Sequence, residues 1–109
     1  MARDPGLEEL VREALGVEPG LDEKRMFGGL AWLLHGNLLC GARIDSMLVR
    51  LGKGNDGWAL EQADIKPMLS GARVMHGWVR AGPNAYGDDA LRRRLLTSAL
   101  AYVEALPPK

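Results

Sequence analysis

Between positions 30 and 51, three apolar runs are joined by connections of only two or three residues, and this constrains the chain more than any other feature. Residues 30–34, 38–44 and 47–51 are rich in leucine, with tryptophan, isoleucine, valine and methionine among them; His35-Gly36-Asn37 and Asp45-Ser46 separate the runs. A parallel pair of strands needs a crossover of about a dozen residues or more, whereas antiparallel neighbours can be joined by a tight turn. The three runs are therefore expected to form an antiparallel meander. Arg25-Met26-Phe27 reads as the start of the first strand, interrupted by a bulge or sharp bend at Gly28-Gly29.

Helices frame this meander. Leu7, Leu10, Val11, Ala14 and Leu15 recur at helical spacing, with Glu8, Glu9, Arg12 and Glu13 on the other side; Gly16 ends the helix and Pro19-Gly20 turns the chain. After the third strand, residues 52–57 read as a loop in which Asn55 or Asp56 caps a short helix over 58–63. Two more strands are expected at 66–69 and 74–81, turned at Ser70-Gly71. Gly82-Pro83-Asn84 then breaks the chain before a last helix capped by Asp88. Leu91, Leu95, Ala99, Tyr102, Val103 and Leu106 form its apolar stripe, and Pro107-Pro108 stop it. The expected order is α-β-β-β-α-β-β-α: an α+β fold with an antiparallel five-stranded sheet and flanking helices. At 109 residues, 47% of them apolar, the chain fits one domain over 1–109, its core at about 7–107, with no need of a disulfide or metal.

Charge excludes some functions. The 14 basic and 14 acidic residues cancel, so no global field draws the protein to nucleic acid or an anionic membrane. Residues 1–24 are acidic, with seven acids and three bases, and the remainder is mildly basic. Cys40 is the only cysteine and lies in an apolar run, so it is expected to be a small buried hydrophobe, and no intrachain disulfide can form. Met1 to Gly6 lack the apolar core of a signal peptide, and no run approaches the roughly 18 residues of a membrane span. A cytoplasmic protein is expected, without a membrane partner.

Several motifs invite a chemical reading. Residues 52–57 match G-x-G-x-x-G after a strand and before a helix. However, the preceding strand belongs to a meander rather than a βαβ unit, and no acid near position 75 awaits a ribose hydroxyl. The glycines are expected to serve backbone conformation, and no cofactor is expected. His35 and His76 have no carboxylate or second histidine at ligand spacing, so no metal is expected; a hairpin turn explains His35, and His76 is expected to be packed or half exposed. Ser46, Ser70 and Ser98 lie in no nucleophile elbow, and no catalytic residues are expected. Arg92-Arg93-Arg94 point in three directions about 100° apart on a helix, which suits solvated surface or pairing with the acidic first helix better than a phosphate clamp. Direct nucleic-acid binding is accordingly disfavoured.

The sheet is more informative. Residues 30–34 and 38–44 are apolar on both alternating faces, whereas a sheet covered on one side should alternate cleanly. Arg43, Arg50 and Arg80 each interrupt a mostly apolar strand, and Trp78 shares the face of Arg80. Together with Trp32 they define a candidate interaction surface, since tryptophan and arginine are enriched at protein interfaces. The alternative is that arginine stems merely cover the sheet. A homodimer is one expected way to cover the second face.

The run Lys24-Arg25-Met26-Phe27-Gly28-Gly29-Leu30, followed by Gly36-Asn37, Leu48-Val49-Arg50, Lys66-Pro67-Met68, Gly77-Trp78-Val79, Ala101-Tyr102-Val103 and Leu106-Pro107, resembles the TfoX (Sxy) N-terminal domain family. Arg25, Met26, Phe27, Gly28 and Gly29 are the specific part, and the likeness spans about residues 7–107. The resemblance implies a two-layer α+β domain in the style of secretion chaperones and a role in regulating natural competence with the cyclic-AMP receptor protein. Full-length members carry a second, C-terminal domain, which a chain ending at Lys109 is expected to lack. No catalytic residues are implied. The expected function is a non-enzymatic regulatory or protein-interaction domain with an unknown protein partner. The alternatives are a small-ligand or nucleotide-binding domain and a weak nucleic-acid binder.

Overall fold

A computed structural model describes residues 4–26 and 28–108. Helix α1 (Pro5–Leu15) starts at Asp4, whose carboxylate accepts from the Leu7 amide at 3.1 Å. Then come β1 (Leu21–Met26), β2 (Gly29–Leu34), β3 (Asn37–Arg43) and β4 (Ser46–Arg50). The short α2 (Gly57–Leu60) leads to β5 (Ile65–Ser70) and β6 (Arg73–Ala81), and α3 (Pro83–Tyr86) leads to α4 (Asp89–Glu104). Asp88 caps α4 as expected, accepting from the Leu91 amide at 3.0 Å.

The fold is α+β with an open antiparallel sheet, but the sheet has six strands in the order β1-β2-β3-β4-β6-β5 rather than five. The additional strand is β1. Its sequence, Leu-Asp-Glu-Lys-Arg-Met, shows no apolar alternation because it is an edge strand with only its two ends half-buried. Met26 pairs with Gly29, so Gly28, at φ +74°, belongs to a hairpin turn and not to a bulge within one strand. Phe27, part of the motif above, lies outside the described residues. At the next turn His35 and Gly36 both take positive φ, 52° and 84°, the pattern of a type I′ hairpin. The four-residue α3 follows the Gly82 break; its brevity leaves no helical periodicity in the sequence.

The four helices of the described residues pack on one face of the sheet. Leu7 and Val11 of α1, Ala59 of α2, Ala85 of α3 and Leu95 and Val103 of α4 meet Trp32, Cys40 and Val49 of the sheet in the main core. A second, smaller cluster on the opposite face holds Leu48, Met68 and Trp78, with Leu38 and Met75 against it. A bulge between Trp32 and Leu33 sets the β2–β3 register, so that Leu38 joins the outer cluster while Leu39 and Cys40 both join the core.

Candidate binding groove

The β5–β6 hairpin shapes the outer face. It carries a register shift between Pro67 and Leu69, and on the other side of β6 the Gly77 carbonyl accepts from both Leu51 and Gly52, at 2.7 and 3.1 Å. Two residues thus oppose one, the arrangement of a bulge that bends a strand and re-aims its side chains. Gly77 sits at φ +88°, and a Cβ there would lie 2.6 Å from the Lys53 amide nitrogen, so the bend depends on glycine.

The bend leaves a groove of about 350 Å³ on the helix-free face. Leu48, Met68, Leu69 and Val74 give it apolar walls. Arg43, Lys66 and Arg80 bring three cations to it. Register places these groups. Lys24, Ala31, Gly41, Leu48, Arg80 and Lys66 are successive partners in one row across all six strands, and Arg43 pairs with Ser46, two residues before Leu48. Arg80 pairs with Asp45 at 3.5 Å, with both side chains about half exposed or more. Arg43 and Lys66 make no ion pair with any of the described residues. Leu69 and Val74, at 57% and 43% exposure, are among the few large apolar side chains left open to water.

Of the candidate interaction residues, Arg43 and Arg80 meet at this groove. Trp78 lies on the same face but is only 7% exposed, within the second cluster. Arg50 shares that face by register with Trp78, yet its guanidinium donates to the Leu38 carbonyl at 3.3 Å and sits 5.7 Å from the Tyr102 ring. Trp32 stands apart: it is 1% exposed in the helix-side core, and its indole N–H donates to the Glu23 carboxylate at 3.1 Å. Arg25 is exposed on edge strand β1, and Met26 is half-buried beside the turn. Gly29 opens β2, where a Cβ would run into the Ala42 carbonyl. Lys66 and the apolar walls on β5 and β6 were not singled out from sequence. The β5–β6 turn alone would set Lys66 opposite Gly77; only the register shift between Pro67 and Leu69 brings it opposite Arg80.

Structure also accounts for the other motifs. In the 52–57 loop, Gly52 is at φ +98° with the Tyr102 ring 2.5 Å from where a Cβ would stand, so close packing explains this glycine. The loop lines a wider depression with Trp58 and Tyr102 beside it. The three arginines of α4 diverge as expected, but Arg92 is buried, contrary to a solvated surface. It donates to the Tyr86 carbonyl at 2.9 Å and to Asp89 at 2.8 Å. Arg93 reaches Glu13 of α1 at 3.8 Å, and Arg94 stacks 3.9 Å above the Trp58 ring. Cys40 is buried, and burial pushes its thiol far above the ordinary thiol range. His76 is exposed. Among the described residues no group of three His, Cys, Asp or Glu side chains is placed to hold a metal ion, and no helix is long and apolar enough to cross a membrane.

Fold and site together define a class: an α+β domain with an open six-stranded antiparallel sheet, helix-covered on one face and grooved on the other. No family model matches the chain, and neither a curated protein nor a solved structure does so.

Proposed function

We propose that this protein is a non-enzymatic protein-interaction domain that meets its partner through the helix-free face of its sheet. The observation that carries the proposal is the groove, with its apolar walls and three cations, two of them without an acidic partner among the described residues. Arginine is enriched in interfaces, and apolar pockets receive the anchoring side chains of a partner. The sheet edges favour the face over strand addition. β1 presents Asp22, Glu23, Lys24 and Arg25 in succession, and β5 has Pro67 in its middle, which offers no N–H. The resemblance to TfoX N-terminal domains agrees, since it implies a regulatory domain that acts by protein contact, in a two-layer fold like that of secretion chaperones.

A twofold pairing of two copies across this groove would set Arg43, Lys66 and Arg80 against their own equivalents. Charge therefore favours a different partner over a homodimer. One observation favours a second reading, a small-ligand site: the groove is concave, and its volume falls within the range of about 300–1,000 Å³ typical of ligand pockets.

Site-specific photo-crosslinking in the native cell extract tests the proposal. A crosslinking residue at position 43 or 66 should give a discrete adduct with another protein, while one at Thr97, exposed on α4, should not. Equal adducts from all three positions, or none from 43 and 66, would sink it.

A further inference from the structure

The groove's chemistry narrows what it can receive. Its volume of about 350 Å³ lies at the small end of the ligand-pocket range and also admits one or two side chains, and it is open on one side. Its walls come from Leu48, Met68, Leu69 and Val74, so the inserted group must be apolar. Around it stand Arg43, Lys66 and Arg80; among the described residues Arg80 alone of the three has an ion pair, with Asp45. Asp45 and Asp64 line an adjacent depression with Lys66 and Arg80 but without Arg43. A neutral apolar guest would leave those charges to water alone, whereas carboxylates beside the guest would gain charge-assisted hydrogen bonds. Spacing adds a constraint. Lys66 and Arg80 are neighbours in one row, while Arg43 lies on β3, three strand steps from β5. At about 4.8 Å per step the cations span on the order of 14 Å. In an extended chain, residues two apart are separated by about 6.5–7 Å and point the same way. Acids repeated along such a segment can reach cations at both ends while an apolar side chain enters between them.

We propose that the groove binds a short acidic segment of a partner protein, extended across the strands, with an apolar side chain inserted between Arg43 and the Arg80–Lys66 pair. The proposal rests on the interaction-domain reading above and specifies the partner's chemistry.

The test uses the full chain, isotopically labelled, titrated with a short synthetic peptide that repeats Glu-Ser-Leu-Ser, so that in an extended chain glutamate and leucine face the same side. Controls replace its glutamate by glutamine, its glutamate by lysine, or its leucine by serine; decanoate serves as a small amphipathic acid. Amide shifts in two-dimensional NMR locate binding. The glutamate–leucine peptide should shift residues of β3, β5 and β6 around the groove, and each control peptide should bind at least about tenfold more weakly. Arg43→Gln and Lys66→Gln should each weaken binding about five- to tenfold, on the scale of a lost charge-assisted hydrogen bond. Thermal melts confirm that both variants fold. Equal binding of the glutamine or serine peptide overturns the proposal, as do unchanged affinities in both variants. Decanoate binding more tightly than every peptide overturns it in favour of the small-ligand reading. Crosslinks at 43 and 66 without any shift from the acidic peptide would leave the interaction domain standing and remove this partner chemistry.

Discussion

The two faces of the sheet are built from the same strands and differ in how they are closed. On the helix side, Trp32, Cys40 and Val49 are cross-strand partners in one row, and helices seal them from water. On the other side, Leu48, Met68 and Trp78 are shielded without a helix, and the bent hairpin beside them leaves Leu69 and Val74 open. One face is a core; the other is a small cluster bordered by a groove and cations. The difference teaches where stability and recognition can be separated: large side chains on the helix side hold the fold, while groups on the outer rim can change with little cost. Each substitution below either breaks that contrast or sharpens it.

The largest effect is expected at Trp32. Trp32→Ala removes a ring that is 1% exposed and leaves the Glu23 carboxylate without the indole donor, so a loss of about 3–5 kcal/mol is expected in urea unfolding. Val74→Ser, on the open rim at 43% exposure, should change stability by no more than about 0.5 kcal/mol. Similar costs for the two would abolish the contrast between the faces.

A smaller but sharper effect concerns the bend that creates the groove. Gly77→Ala must adopt φ +88° and also push a methyl against the backbone of Lys53 and Gly52. Left-handed backbone costs about 1–2 kcal/mol, and the overlap adds about 1–3 kcal/mol. Gly54, at φ +87°, has open space where its Cβ would stand, so Gly54→Ala should show only the first of these costs. Equal melting temperatures for the two variants would mean that the approach of β6 to the 52–57 loop is looser than described.

These same residues show what could be read from the sequence. Features governed by local chemistry were legible: the Asp88 cap of α4, the turn at His35-Gly36, and the meander that its shortness enforces. Legibility ended where long-range pairing decides. β1 has four charged residues in a row, because neither face of an edge strand must be dry there, so no apolar rhythm announced it. Trp32 read as a surface candidate because an apolar run has no label for its inner face; only the helices choose it. Strict alternation would put Leu38 on the same side as Cys40, but the bulge at Trp32 and Leu33 puts the two residues on opposite sides. The groove depends on β6 lying between β4 and β5, which leaves no mark in local sequence, and on two bulges marked locally by no more than Gly77 and Pro67.

Dryness on the helix side can be measured through Cys40. Burial raises its pKa in the folded state, while the unfolded chain ionises near the ordinary value of about 8.5. The unfolded state then binds fewer protons above that pH, so stability is undiminished below about 8.5 and falls as pH rises. The slope approaches about 1.4 kcal/mol per pH unit. Between pH 8.5 and 10 a loss of about 1–2 kcal/mol is expected. Cys40→Ala should flatten it. Rapid reaction of the native thiol with Ellman's reagent would show instead that water reaches this face.

The smallest expected effect is the one that decides what the outer cations are for. Arg43, Lys66 and Arg80 surround one groove, and the Arg80–Asp45 pair, half exposed at 3.5 Å, belongs to a class worth about 0–1 kcal/mol. Lys66 is exposed and makes no ion pair with the described residues, so its charge is expected to do nothing for the fold beyond mild repulsion with Arg80, its partner in the row. Lys66→Gln should therefore leave stability unchanged or raise it by a few tenths of a kcal/mol, with any gain shrinking as salt screens the repulsion. Urea titrations at low and at roughly 0.5 M salt measure both. A loss above about 1 kcal/mol would mean that Lys66 supports the hairpin through its stem, as covering arginines and lysines do. In that case the outer face is a second, thinner core and not a surface held ready for a partner. A neutral or slightly stabilising result leaves recognition as the physical reason for keeping three like charges around an apolar groove.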